Sequence, residues 1–181
     1  MNTRKKFELV ADSSIEVFGI KLFRIRALIS FGSVSKGEVG GYVEKAENVE
    51  QSGDAWVSGN AWVSGNAQVS GNARVYGDAR VSGNARVHGN ARVYGDASIF
   101  WASRVGSEQG TLTVCRAKAG LWVSRGCFSG TDADFMASVE ETHGKDSKIG
   151  REYALLIEVA RSRIDTSTPL PAEQDDAEVS A

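Results

Sequence analysis

Eight consecutive hexapeptides of one design fill residues 53–100: GDAWVS, GNAWVS, GNAQVS, GNARVY, GDARVS, GNARVH, GNARVY and GDASIF. A fixed internal period overrides local propensity, and a six-residue period is too short for a helical repeat. It fits one short strand and one tight turn per unit. Within each unit Ala and the aliphatic residue stand two apart, from Ala55/Val57 to Ala97/Ile99, so in an extended chain they point to the same side. The residue between them points the other way: Trp56, Trp62, Gln68, Arg74, Arg80, Arg86, Arg92 and Ser98. The residue after the aliphatic one also faces out, and this series includes Tyr76, His88 and Tyr94. Gly followed by Asn or Asp then supplies turn chemistry.

Such a strand alone buries almost nothing. Coiled into a solenoid, its backbone groups pair with the coils above and below, and Val and Ala stack into a continuous narrow core. The Ala/Val register holds across all eight units, which is not the pattern of a disordered Gly/Asn-rich segment.

Written from Val, the unit reads V-S-G-N-A-W or V-Y-G-D-A-R. It resembles the hexapeptide repeat of left-handed parallel β-helices, an aliphatic residue followed four later by a small one. The resemblance covers residues 53–100, with Trp101–Gly106 as a degraded ninth unit. It implies a triangular prism with three hexapeptides, about 18 residues, per coil, and roughly three coils standing about 15 Å tall. Residues 18 apart then stack. Trp56, Arg74 and Arg92 share one face, Trp62, Arg80 and Ser98 the second, and Gln68, Arg86 and Arg104 the third. The arginines are spread around the prism rather than gathered into a nucleic-acid footprint.

The expected fold is therefore mainly β: a short left-handed parallel β-helix at 53–106 between an N-terminal β cap and irregular lead-in coil (1–52) and a small C-terminal ββαα module (107–164). In the N-terminal part, Phe7–Val10 reads as a strand, Ala11–Ser14 as a turn, and Ile15–Leu28 as one or two strands. Extending the hexapeptide frame backwards places Lys45 and Gln51 inside, so the strict repeat starts at Gly53. Thr111–Arg116 and Leu121–Ser124 read as strands. Thr131 with Asp134 reads as a capping box opening a helix to about His143, and Asp146 or Ser147 caps a second. The leader (Arg24–Leu28, Phe31-Gly32, Gly40–Glu44) and the segments Gly126–Thr131 and Glu140–Gly144 are similar to bacterial and prophage proteins with hexapeptide-type repeats. That resemblance implies a phage or prophage association and no particular activity.

Residues 165–181 hold both prolines and five acids with no Lys or Arg, the composition of a disordered acidic tail. The remainder carries 21 basic and 18 acidic side chains, about +3, too mild to argue for nucleic acid. No window is apolar enough for a membrane span and no signal-peptide h-region begins the chain, so a bacterial cytoplasm is expected. Cys115 and Cys127 are expected reduced and buried.

Catalytic constellations are thin. Two histidines and two cysteines make no zinc pattern, and no phosphate-binding or nucleophile-elbow motif occurs. No cofactor or metal is expected. Many left-handed β-helix proteins are CoA-dependent acyltransferases, and in that class His88 would be the base. The repeats carry no insertion able to build a lid for such a site. A protein-binding scaffold is the preferred expectation, with Trp56, Trp62, Arg74, Tyr76, Arg80, Arg92 and Tyr94 as contact residues and a host or phage protein as partner. A homo-oligomer, or a small-ligand-binding oligomer, is the further alternative. Trp56 and Trp62 have two readings: an exposed patch, or packing beneath residues 1–52.

Overall fold

The repeats stack as parallel ladders in a computed structural model that describes residues 5–170. Each two- or three-residue strand pairs with a strand 18 residues away along the chain. Trp56–Val57 (β4), Arg74–Tyr76 (β7) and Arg92–Tyr94 (β10) form one ladder. Trp62–Val63 (β5) pairs with Arg80–Val81 (β8), and Gln68–Val69 (β6) with Arg86–Val87 (β9). Backbone bonds continue through the corners, as in Asp54 N to Gly71 O (2.9 Å) and Asn66 N to Gly83 O (2.9 Å). The first glycine of every unit has φ between 64° and 72°, which only glycine adopts without strain.

Ala and Val fill the interior. Ala55 through Ala91 and Val57 through Val93 are all buried in one cluster. A family of such units cannot fold singly, because each strand's apolar side is covered only by its neighbours in adjacent coils.

The parallel register reaches further back than the strict period. Val39–Val43 (β3) pairs with β5, placing Tyr42 against Trp62 and Val43 against Val63, and Val49 bridges Val69. These partners are 20 residues apart, not 18. Val43 and Val49 are fully buried, in the places where the backward frame put Lys45 and Gln51. The two extra residues fall between Val49 and Val57. Gln51 turns outward there, and its Oε1 accepts from the backbone N–H groups of Lys6 (2.8 Å) and Phe7 (3.3 Å). An insertion of two preserves which side every side chain faces.

Phe7–Val17 (β1) and Ile20–Ala27 (β2) form an antiparallel hairpin, and β2 also pairs with β3. The hairpin turn is Phe18-Gly19, with φ of 50° and 78°. The expected turn at Ala11–Ser14 is instead a register shift within β1. Asn or Asp usually leads such a turn; Phe in that place hid it.

Lys6 closes this end in an uncommon way. Its side chain is buried, and Nζ donates to the carbonyls of Ala55 (2.9 Å), Ser52 (3.3 Å) and Gly53 (3.4 Å), 4.8 Å from the Phe31 ring centroid. These carbonyls lie at the start of the first strict unit, where no earlier coil offers them an N–H. Burial pushes the Lys6 ammonium down to about 8, partly opposed by Glu50 and Asp54. Glu50 and Glu44 answer the opposite need: their carboxylates accept from Gly71 N (3.0 Å) and Gly65 N (2.6 Å). The bond from Gly71, with a second from the Ser52 hydroxyl, holds Glu50 below the usual carboxylate range.

At the far end the hexapeptide pattern is overridden. In GDASIF a 3-10 turn at Asp96–Ser98 exposes Ala97 and buries Ser98, whose hydroxyl donates to Tyr94 O (2.6 Å). The residues expected as a ninth unit belong to Ile99–Val105 (β11), which pairs antiparallel with Gly110–Arg116 (β12). Arg104 therefore does not stack on Arg86, and Val105 joins a second core. Arg86 N instead donates to Thr113 Oγ1 (3.0 Å). Aromatic rings lie over the last corner glycines: Tyr94 on Gly77, Trp101 near Gly83 and Trp122 on Gly89.

Leu121–Arg125 (β13) and Phe128–Thr131 (β14) complete a four-stranded antiparallel sheet. Helix α1 (Asp132–His143) starts at Thr131, whose Oγ1 accepts from Asp134 N. Helix α2 (Lys148–Arg163) starts at Ser147. Phe135, Val139, Tyr153, Ile157 and Ala160 pack the helices on the sheet. Cys115 is buried, which pushes its thiol up, whereas Cys127 is exposed, contrary to expectation; both are free. Residues 171–181, most of the expected acidic tail, lie outside the described residues. No described helix is long and apolar enough to cross a membrane.

Candidate functional site

Alternation sends Trp56, Arg74 and Arg92 away from the Ala/Val core, but a second layer covers the first two. Trp56 is 1% exposed. Phe7 and Phe31 meet its indole edge-on, with centroids 6.2 and 5.4 Å away. Arg74 is buried beside it, its Nη2 donating to Ser33 Oγ at 2.7 Å. Tyr76 is buried against Tyr94 at 5.2 Å. These three are packing residues, which corrects their place in the expected contact surface. The physical reason is that β1 and the 28–38 segment lay Phe7 and Phe31 over Trp56 and Ser33 over Arg74, while Tyr94 of the next coil packs on Tyr76.

The accessible remainder divides in two. Tyr94 is 42% exposed and Arg92 half-buried, its Nη1 donating to Asn72 O (2.9 Å) and Ala91 O (3.0 Å). The other part lies on the second ladder, where Trp62 is half-buried and Arg80 exposed. The structure adds two residues that the sequence reading missed. Arg24 pairs with Tyr42, Tyr42 with Trp62, and Trp62 with Arg80. Register partners on adjacent strands share a side. They therefore make one row, Arg24–Tyr42–Trp62–Arg80, crossing four strands at about 4.8 Å each. The Arg24 guanidinium lies 4.5 Å from the Tyr42 ring centroid, and its Nη1 donates to Gly40 O at 2.9 Å. The signal was present: Gly41-Tyr42-Val43 repeats the outward-aromatic, inward-valine pair of Ala61-Trp62-Val63.

Two aromatic rings stand between two guanidiniums along this row, with no acid among them. It offers stacking surface, planar donors and positive charge, and no nucleophile. His88 sits on the third ladder. It is exposed, and its Nδ1 lies 2.7 Å from Ser70 Oγ. Among the described residues no three His, Cys, Asp or Glu groups converge as metal ligands.

The family model described as the YdcK beta solenoid repeat matches residues 67–83, 73–89 and 79–95. The three matches advance by six residues, one hexapeptide each, and support a repeat β-solenoid. No curated protein matches the chain.

Proposed function

We propose that this chain is a non-enzymatic binding scaffold: a left-handed hexapeptide β-helix, capped at both ends, whose second face docks a protein partner. The observation that carries the reading is the row Arg24–Tyr42–Trp62–Arg80, held on four paired strands. Arg, Tyr and Trp are the side chains that anchor protein interfaces, and a rigid ladder presents them with little ordering cost on binding. The leader and C-terminal motifs resemble prophage proteins. On that ground the partner is a bacterial host or phage protein, and inhibition of a host protein is the suggested outcome.

CoA-dependent acyl transfer is the second reading. His88 favours it as an exposed imidazole, but Nδ1 is engaged by Ser70 and no loop leaves the coils beside it.

The test is affinity capture from host and phage-infected lysates with mass spectrometry, using wild type, Trp62→Ala/Arg80→Ala and Arg163→Ala. The expected result is a prey held by wild type and by Arg163→Ala, and lost by the face variant. That variant should stay folded, giving up about 1–2 kcal/mol because Trp62 is only half-buried. Equal prey recovery by all three proteins would move the interface elsewhere. Thiol release from acetyl-CoA abolished by His88→Ala would promote the enzyme reading.

A further inference from the structure

A groove separates the third ladder from the antiparallel sheet. Gln68 and Arg86 form one wall, Thr111 and Arg125 the other, and its volume is about 380 Å³. It continues into a second chamber of about 190 Å³, which shares Gln68 and Arg86 and adds His88 and Ser129. The first volume falls within the range of small-molecule sites. Its lining is polar, so the ligand it suits is polar too.

The charge pattern is one-sided. Two guanidiniums and an imidazole line the two chambers, and no Asp or Glu does. Among the described residues the Arg86 guanidinium has no hydrogen-bond or ion-pair partner. Arg125 is held differently. Its Nε donates to the Tyr153 hydroxyl (2.8 Å) and its Nη2 to Val105 O (3.1 Å). That fixes the plane of the guanidinium and leaves Nη1 uncommitted. Gly110 makes room for it: a Cβ there would stand 2.5 Å from Arg125 Nη1. Gly110 has no positive φ, so its backbone does not call for glycine. The space is needed by the arginine.

Like charges facing one cleft raise each other's energy and concentrate anions within it. Arginine's planar fork matches an oxyanion with two parallel donors. Asn66 and Asn84 join across the coils at 3.3 Å (Nδ2 to Oδ1), leaving the Asn84 amide nitrogen as a further donor beside the groove.

We infer that this groove binds a small oxyanion-bearing molecule, with Arg86 from the repeats and Arg125 from the C-terminal sheet as its paired donors. The site lies on a different ladder from the protein-binding row and does not depend on it. The shared ligand chemistry is a multiply charged phosphoryl or carboxylate group.

The test is titration of the full chain with pyrophosphate and, separately, with succinate at fixed ionic strength, read by calorimetry and by the arginine Nε–H signals in NMR. Saturable binding is expected for one probe, with the Arg86 and Arg125 signals moving. Arg86→Gln, a change at an exposed side chain, should weaken it by about tenfold or more, whereas Arg151→Gln on α2 should bind as wild type. A pyrophosphate preference assigns a phosphorylated ligand, and a succinate preference a carboxylate. The inference is overturned if neither probe saturates below roughly 10 mM, if Arg86→Gln binds as wild type, or if Arg151→Gln loses as much.

Discussion

Replacing Val75 with Asp is expected to unfold the repeats. Val75 is fully buried in the middle strand of its ladder, with Val57 paired to it on one side and Val93 on the other. The interior at that level is Val and Ala, so a carboxyl there finds neither a donor nor water. A buried carboxyl without a hydrogen-bond partner costs several kcal/mol even when protonation has removed its charge. A loss of roughly 4 kcal/mol or more takes most of the stability of a domain this size. Far-UV circular dichroism and urea unfolding should show little folded protein at 25 °C. Val75→Ala, which removes two methyl groups and adds no charge, should remain folded with a lower urea midpoint. An Asp variant that unfolds at the wild-type midpoint would put Val75 outside the core.

Trp56→Ala is expected to lower stability by about 3–5 kcal/mol, the usual cost of deleting a buried large aromatic side chain. The indole touches Phe7 and Phe31 and fills the space between the first ladder and the N-terminal layer. Its Nε1 is the one buried side-chain nitrogen or oxygen among the described residues without a hydrogen-bond partner. Trp56→Phe should therefore recover much of the loss, since it keeps an aromatic ring and removes an unsatisfied donor. Urea midpoints of the three proteins check this. An Ala variant within about 1 kcal/mol of wild type would return Trp56 to the surface and revive it as a contact residue.

The contrast between Trp56 and Trp62 shows what the hexapeptides could reveal. Alternation within one unit fixes which side of its own strand a residue faces, and the Ala/Val side is buried throughout the seven units from Ala55 to Val93. The 18-residue partners Trp56/Arg74/Arg92, Trp62/Arg80 and Gln68/Arg86 are register partners in the ladders. Alternation knows nothing of a second layer, so Trp56 and Arg74 face away from one core and into another. Residues Gln51 and Ser52 broke the frame because the two-residue insertion is stabilised by Lys6 and Phe7, more than 40 positions away. The last unit fitted the consensus, and Ile99 stays in the repeat core, yet the ladder between β11 and β12 drew the chain beyond it out of the solenoid. The oxyanion groove combines residues 66–88 with 110–129, a pairing that no local pattern signals.

Within the strict repeats, the assignment of a residue to a face rests on the 18-residue stacking, and engineered disulfides measure it directly. Asn60 and Asp78 are exposed corner residues in successive coils, with Asn60 Nδ2 3.4 Å from Asp78 Oδ1. Neighbouring parallel strands lie about 4.8 Å apart, within the Cα separation that a disulfide spans. In a Cys127→Ser background, Asn60→Cys/Asp78→Cys should oxidise fully under mild conditions while the protein stays folded, and Asn60→Cys/Asn72→Cys, placed on different corners, should remain reduced. Ready closure of the 60/72 pair, or failure of the 60/78 pair in folded protein, would contradict the stacking and the faces drawn from it.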